Sequence, residues 1–420
     1  ACAAGGPRGA GRQEDGPLGA PPSATGGTVL VDPHAAGRPW DGAAVLEKEA
    51  EQAMIRSQLS VGADKYFAAC QFKRAPNFTA ATPAGHPLAS SAAGDESFVR
   101  TGRLKLRHDA EQLEYLVESG ILPAEPYQRI AGVFRKVLPR LPAEHSAVDV
   151  QPGVHPLFDR AHNRALHLSR PGRSEQPLLS SGFDAAAFER RFRAHRGSDS
   201  EAPGCAAQNG AAFADGLLSA AALEGLRRWC FESTMWFGQR AGYLAAFMQD
   251  AFNAPLVVQL TEELRDALPS ILGEHQLMNM WAFKYANNES DWPIQGTAVH
   301  ADIAAVNVNL WLTDDEANED PDGGGLIVYH KQAPSDWAFS DYNSLGQVPK
   351  IQAYLADSDR LVVPHRQNRV VMFNSNLFHE TQLPRFRSGY TNRRINLTFL
   401  FGRRCGGTAN EARAGARAPA

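Results

Sequence analysis

Between Gln276 and Phe401 the chain is written in short extended runs: Gln276 to Tyr285, Gly296 to His300, Ala304 to Thr313, Gly325 to Tyr329, Arg360 to Val363, Arg369 to Asn374 and Arg394 to Phe401. Each run is rich in β-branched or aromatic residues, and turn formers such as Asp322-Gly323-Gly324-Gly325 and Pro349 separate them. A strand buries alternate side chains on one face and cannot cover that face alone. Many short strands in series therefore suggest a jelly-roll type barrel.

The residues before Gly273 follow other rules. Residues 1–38 are dominated by Gly, Ala and Pro, a composition that cannot bury enough apolar surface to offset chain entropy, so a disordered segment is expected there. Residues 39–140 carry helical stripes. Asp41 is a candidate N-cap for a helix to about Ser57 with Leu46, Ala50, Ala53 and Met54 on one side. Leu113, Leu116 and Val117 mark a second helix that stops at Gly120, and Ile130, Val133, Phe134 and Val137 mark a third. Residues 141–208 form an irregular connecting segment with one short helix around Asp184 to His195. Helical signals return at Ser219, a second N-cap, with Leu223, Leu226 and Cys230 behind it, and Leu256, Leu260, Leu264 and Leu268 repeat at a four-residue interval. These helices are expected to back the sheet, and residues 404–420 to form a disordered tail, giving an α+β chain.

Composition excludes several classes of function. Hydrophobic residues make up 43% and charged residues 21% of 420, and no run of about 18 apolar residues could span a bilayer. The balance of 42 Lys and Arg against 46 Asp and Glu offers no basic footprint for a phosphate backbone, so no nucleic-acid partner is expected. Five cysteines, at positions 2, 70, 205, 230 and 405, form no Cys-x-x-Cys pair and read as thiols of a reducing, cytoplasmic compartment. No apolar signal segment marks the start, and the first residue is not Met, which leaves room for an upstream segment. His162 and His167 are five apart, a spacing that does not put them on one helix face as metal ligands, so packing roles are expected.

Within the extended region, His300-Ala301-Asp302 places a histidine and a carboxylate at positions i and i+2, on the same side of a strand. A second histidine, His379, follows the apolar run Val370-Val371-Met372-Phe373 and the turn-prone Asn374-Ser375-Asn376. Two neutral imidazoles and one carboxylate on one face leave the other positions of an octahedral ion open, as in non-haem Fe(II) sites. Alternation in Arg394-Ile395-Asn396-Leu397-Thr398-Phe399 sends Arg394, Asn396 and Thr398 to one side, and then Arg393 is expected to face outward. An arginine directed into a barrel needs an anion, and the distal carboxylate of a keto-diacid suits a guanidinium. The alternative is a structural salt bridge at Arg394, and Arg387 is a second, weaker anion-binding candidate.

The succession Tyr285, His300-Ala301-Asp302, Gly323-Gly324-Gly325-Leu326, His379 and Arg394-Ile395-Asn396-Leu397-Thr398-Phe399 resembles the Fe(II)/2-oxoglutarate-dependent oxygenase superfamily, in particular its prolyl-4-hydroxylase-like branch. The resemblance covers roughly the C-terminal half. It implies a double-stranded β-helix over residues 209–403, with Fe(II), 2-oxoglutarate and O2 consumed in oxidising a substrate and succinate and CO2 released. It further implies that His300, Asp302 and His379 ligate the metal, that Arg394 binds the distal carboxylate of 2-oxoglutarate, and that Tyr285 hydrogen-bonds the co-substrate. Asn309 is a looser candidate for a ligand contact, and Tyr285 serves equally well as a core aromatic. Halogenating relatives lack the carboxylate that Asp302 supplies, so hydroxylation is the implied outcome.

The polar stretch Ala286 to Pro293 departs from the family pattern and reads either as a substrate lid or as passive surface. Trp337, Phe339, Tyr342 and Tyr354, between two barrel runs, either line a substrate site or cover the barrel rim. A cupin-like metalloenzyme without 2-oxoglutarate, a binding module without turnover, and a scaffold function of the helical half are the competing readings. The substrate is expected to be a small molecule or a peptidyl side chain, and nothing in the sequence fixes which, nor the oligomeric state.

Overall fold

A computed structural model of the chain describes residues 39–75, 99–142, 147–150, 153–194, 210–287 and 296–404. Helices α1 (Pro39–Ile55) and α2 (Leu59–Arg74) precede strand β1 (Val99–Thr101), helices α3 (Arg103–Glu118) and α4 (Ala124–Val137), strand β2 (Val148–Val150) and helices α5 (Pro156–Ala161) and α6 (Ala185–Ala194). Then follow β3 (Ala211–Ala214), α7 (Ala220–Glu232), β4 (Gly238–Arg240), β5 (Tyr243–Phe247), α8 (Pro255–Ala267), α9 (Pro269–Leu272), β6 (Leu277–Tyr285) and β7 (Ala304–Trp311). The chain continues through β8 (Leu326–Gln332), α10 (Phe339–Tyr342), α11 (Val348–Tyr354), β9 (Arg360–Val363), β10 (Val370–Asn374), β11 (Leu377–Thr381) and β12 (Ile395–Arg403).

The helix ends follow local chemistry. Ser219 caps α7, its hydroxyl accepting from the Ala222 amide at 3.3 Å, and the Asp184 carboxylate accepts from the Ala187 amide at 2.8 Å at the start of α6. Gly120, at φ +69°, ends the α3 turn where the Ile121 amide returns to the Leu116 carbonyl at 2.9 Å. The first helix begins at Pro39, so Asp41 lies inside its first turn and is not its N-cap. Pro fits that opening turn because its missing N–H has no intrahelical acceptor there.

Seven antiparallel strands form one sheet in the order β3-β10-β7-β12-β6-β5-β4, and a three-stranded sheet runs β11-β8-β9. One face of the large sheet is the helix-covered face. Ile395, Leu397, Phe399 and Phe401 of β12 and Val306, Val308 and Leu310 of β7 share a core there with Leu226 and Trp229 of α7, Leu260 and Leu264 of α8, and Tyr66 and Cys70 of α2. The other face meets the small sheet through an apolar layer in which Trp311, Val371 and Phe373 pack with Leu326, Val328, Val363 and Leu377. Helices α3, α4 and α5 hold a smaller core around Leu113, Phe134 and Phe158. The result is a mixed α and β structure with a large antiparallel sheet, as a jelly-roll reading requires.

Six strands lie outside the expected runs: β1, β2, β3, β4 and β5 precede Gly273, and β11 carries His379 itself. The run Gly296 to His300 is not a strand. There His300 forms a single bridge to His379, while the Ala301 amide turns to the Tyr342 carbonyl and the Asp302 amide to the Ser375 carbonyl, so no one strand can accompany the segment. The N-terminal 38 residues, the tail from 405 and the centre of the polar insert, residues 288–295, fall outside the described residues. No helix among the described residues is long and apolar enough to cross a membrane.

Candidate metal centre

Two backbone hydrogen bonds join the histidines: the His300 amide donates to the His379 carbonyl at 3.0 Å and the His379 amide to the His300 carbonyl at 2.8 Å. Together with the Asp302 amide bond to the Ser375 carbonyl at 2.8 Å, this brings three ligand atoms within 4.8 Å of one another. Nε2 of His300 lies 3.8 Å from Asp302 Oδ1, and Nε2 of His379 lies 3.5 Å from Asp302 Oδ2. Each imidazole is turned by its other nitrogen, for His300 Nδ1 lies 2.7 Å from the Ala298 carbonyl and His379 Nδ1 3.1 Å from the Leu377 carbonyl. A carbonyl only accepts, so the proton sits on Nδ1 and the Nε2 lone pairs face the carboxylate.

The electrostatics of His300 and Asp302 agree with this. Burial, then the neighbouring His379 ring, pushes His300 down to about 4. Burial raises the Asp302 carboxyl, but the neighbouring His379 and His300 rings and the Asn307 amide outweigh it and hold the group below its ordinary value. An ionised carboxylate beside a neutral imidazole is the ligand state a divalent ion requires.

The triad opens into a cavity of about 150 Å³. Tyr285, Asn309, Asn396 and Thr398 of the large sheet, Leu326, His379 and Thr381 of the small sheet, and Arg394 line it. Arg394, one residue before β12, is 1% exposed and stacks its guanidinium over Tyr285, 4.6 Å from the ring centre, and Trp311, at 5.4 Å. Its Nε donates to the Gly324 carbonyl at 2.6 Å and its Nη2 lies 3.5 Å from the Gly325 carbonyl, while the buried Nη1 has no partner among the described residues. The glycine at 325 is a steric requirement, since an added Cβ would lie 1.9 Å from the Val363 carbonyl oxygen. No carboxylate pairs with Arg394 among the described residues, and the buried, partnerless Nη1 fits an anionic ligand.

The expected site residues thus come together around one cavity. Tyr285 is both things at once: it packs in an aromatic cluster with Tyr243 and Phe283, and its hydroxyl, on the cavity wall, lies 3.0 Å from Thr297 Oγ1 and 3.2 Å from Thr381 Oγ1. Asn309 lines the cavity with its amide engaged, Oδ1 accepting from Asn396 Nδ2 at 3.1 Å and Thr398 Oγ1 at 3.0 Å. Arg387 is exposed and stands away from the cavity lining. Arg393 does not face solvent. It is 1% exposed and pairs with Glu111 of α3 at 2.9 Å, because the face opposite Arg394 is covered by a helix 282 residues earlier. Trp337 and Tyr354 pack on Phe378, and Phe339 on Tyr342, as rim cover, while Asn343, Leu345 and Val348 of the same segment reach the cavity. His162 stacks on Phe158 at 4.8 Å, a packing role. Asn307 was not singled out in sequence, although Val306-Asn307-Val308-Asn309 alternates polar and apolar residues in a way that marks a polar inner face.

No protein-family model matches the chain, and no curated protein matches it in sequence. Among solved structures, the chain is similar to the non-heme alpha ketoglutarate dependent epimerase SnoN from nogalamycin biosynthesis, at 15% identity and a TM-score of 0.35 over 54% of this chain and 88% of that one. A prolyl-4-hydroxylase of Pseudomonas putida aligns at 18% identity and a TM-score of 0.32, over 52% of this chain and 99% of its own. A prolyl hydroxylase of Trichoplax adhaerens, in complex with a peptide fragment of hypoxia inducible factor, aligns at 11% identity and a TM-score of 0.35, over 56% and 94%.

Proposed function

We propose that this chain is a non-haem Fe(II)/2-oxoglutarate-dependent dioxygenase whose residues 209–403 form a double-stranded β-helix, and that it hydroxylates a peptidyl or small-molecule substrate. The observation that carries the reading is the placement of a buried arginine with an unpartnered nitrogen in the same cavity as two imidazoles and a carboxylate whose ligand atoms lie within 4.8 Å of one another. His300, Asp302 and His379 would hold Fe(II), and Arg394 would grip the distal carboxylate of 2-oxoglutarate. Bound together, these groups supply oxidising power from O2, with one oxygen atom going to the substrate and the other to succinate as CO2 leaves.

The chain's own contribution is geometry and exclusion of water. The Ala298 and Leu377 carbonyls hold the imidazoles by Nδ1. Tyr285 and Trp311 pack against the guanidinium, which orients its remaining nitrogen without a protein carboxylate. Tyr285, with Thr297 and Thr381 on its hydroxyl, offers a preorganised polar group to the co-substrate.

Anaerobic titration of the protein with Fe(II) and 2-oxoglutarate tests the proposal through the visible metal-to-ligand charge-transfer band. The wild type should develop the band, and Asp302→Ala combined with His379→Ala should abolish it. Absence of the band in wild type, or its persistence in the double variant, overturns the site. Fe(II) binding without the band would instead identify a metalloenzyme that does not use the keto acid.

A further inference from the structure

Behind the carboxylate of the triad stands a chain of side-chain amides that the proposed reaction has not yet used. Asn307 Nδ2 donates to Asp302 Oδ2 at 2.6 Å, and Asn309 Nδ2 donates to Asn307 Oδ1 at 2.8 Å. Asn309 Oδ1 in turn accepts from Asn396 and Thr398 on β12, the strand that directly follows Arg394. All five residues are at most 5% exposed, so these bonds form away from bulk water, where a lost partner is costly. Asn309 and Thr398 are direct partners across the β7–β12 ladder, which fixes the relay in the backbone register.

We propose that Asn307 is a positioning residue that holds Asp302 to ligation through a single oxygen. This rests on the proposed assignment of the triad to Fe(II). An octahedral ion with two imidazoles and one carboxylate oxygen keeps three positions, enough for a chelating keto acid and O2. A carboxylate that swung to bind through both oxygens would leave two, and the last reactant would be shut out. The amide N–H on Oδ2 opposes that swing by satisfying this oxygen and tethering it to β7. The orientation of the Asn307 amide follows from the next link, because Asn309 donates to its Oδ1 and so leaves Nδ2 to face Asp302.

The test is anaerobic Co(II) titration of the full chain followed by visible ligand-field absorption, which reads coordination without turnover, on wild type, Asn307→Leu and Asn307→Ala. The leucine variant keeps the branched shape of the side chain and removes the amide that serves both Asp302 and Asn309. Either variant with a wild-type melting temperature should bind Co(II) about 10- to 100-fold more weakly, or with an altered band. Addition of 2-oxoglutarate should shift the wild-type spectrum and shift the variant spectrum less. Wild-type affinity, band and 2-oxoglutarate response in a folded variant overturn the role of Asn307 and leave the triad standing. Failure of the wild type to bind Co(II) overturns the metal assignment itself, so the two failures are distinct.

Discussion

Replacing Arg394 by methionine separates the charge of this residue from its bulk, since the methionine stem can still lie between Tyr285 and Trp311. The structure sets the size of the effect. Nε is committed to the Gly324 carbonyl at 2.6 Å and Nη2 is shared with Gly325 at 3.5 Å, which leaves Nη1 to bind a carboxylate in full and Nη2 in part. A hydrogen bond between charged groups contributes about 1.5–3 kcal/mol, so the lost contacts should cost about 2–3 kcal/mol, roughly a 30- to 150-fold rise in the Kd for 2-oxoglutarate. The assay is the anaerobic charge-transfer titration at saturating Fe(II), repeated with pyruvate, a keto acid that lacks the distal carboxylate. Wild type should prefer 2-oxoglutarate to pyruvate by about the same factor, and the variant should lose most of that preference while holding Fe(II) as before. A folded variant that keeps its wild-type preference between the two acids refutes the carboxylate role of Arg394.

Acid should weaken the metal-free protein. His162 and His365 are pushed down to about 3 and His300 to about 4, each first by burial. The unfolded chain takes up these protons near 6.5 while the folded chain resists them to about pH 4, so stability falls as pH drops through that window, and an unchanged urea midpoint between pH 7 and pH 5 would contradict neutral buried histidines. Glu111→Ala leaves Arg393 buried without its carboxylate and should lower unfolding free energy by about 3–5 kcal/mol in urea titration; a loss below 1 kcal/mol would mean that Arg393 re-solvates. Gly325→Ala drives a methyl into the Val363 carbonyl and displaces a carbonyl that contacts Arg394, so both the melting temperature and 2-oxoglutarate affinity should fall; retention of both would show that the β8–β9 approach can relax.

Strand parity makes much of the inner face legible in the sequence. Arg394, Asn396 and Thr398 line the cavity and Ile395, Leu397 and Phe399 enter the helix-covered core, as period-two alternation demands. Parity also separates Arg393 from Arg394 but is silent on what covers the far side. Glu111, whose position depends on long-range packing of α3, has no local signature as the partner of Arg393, and the outward orientation expected for that arginine failed for this reason. His300 and Asp302 share a side without belonging to a regular strand, because their amides alternate between partners that only the tertiary structure brings near. Periodicity alone could not read that segment.

The same reasoning explains why ligands are easier to find in sequence than the residues that orient them. A metal ligand must be one of a few residue types, so His300, Asp302 and His379 stand out by chemistry. An orienting residue needs only a donor at the right height, which Asn, Gln, Ser or a backbone amide can each supply. At Asn307 the choice becomes visible only once β7 and β12 are paired: its amide reaches Asp302 because Asn309 is held by Thr398 across the ladder, and Thr398 stands four residues from Arg394. Asp302 and Arg394 are therefore tied to one hydrogen-bonded strand pair. A one-residue slip of β7 against β12 would turn Asn307 and Asn309 toward the helix-covered core and away from Thr398, and Asp302 would lose the amide chain that ties it to the Arg394 strand.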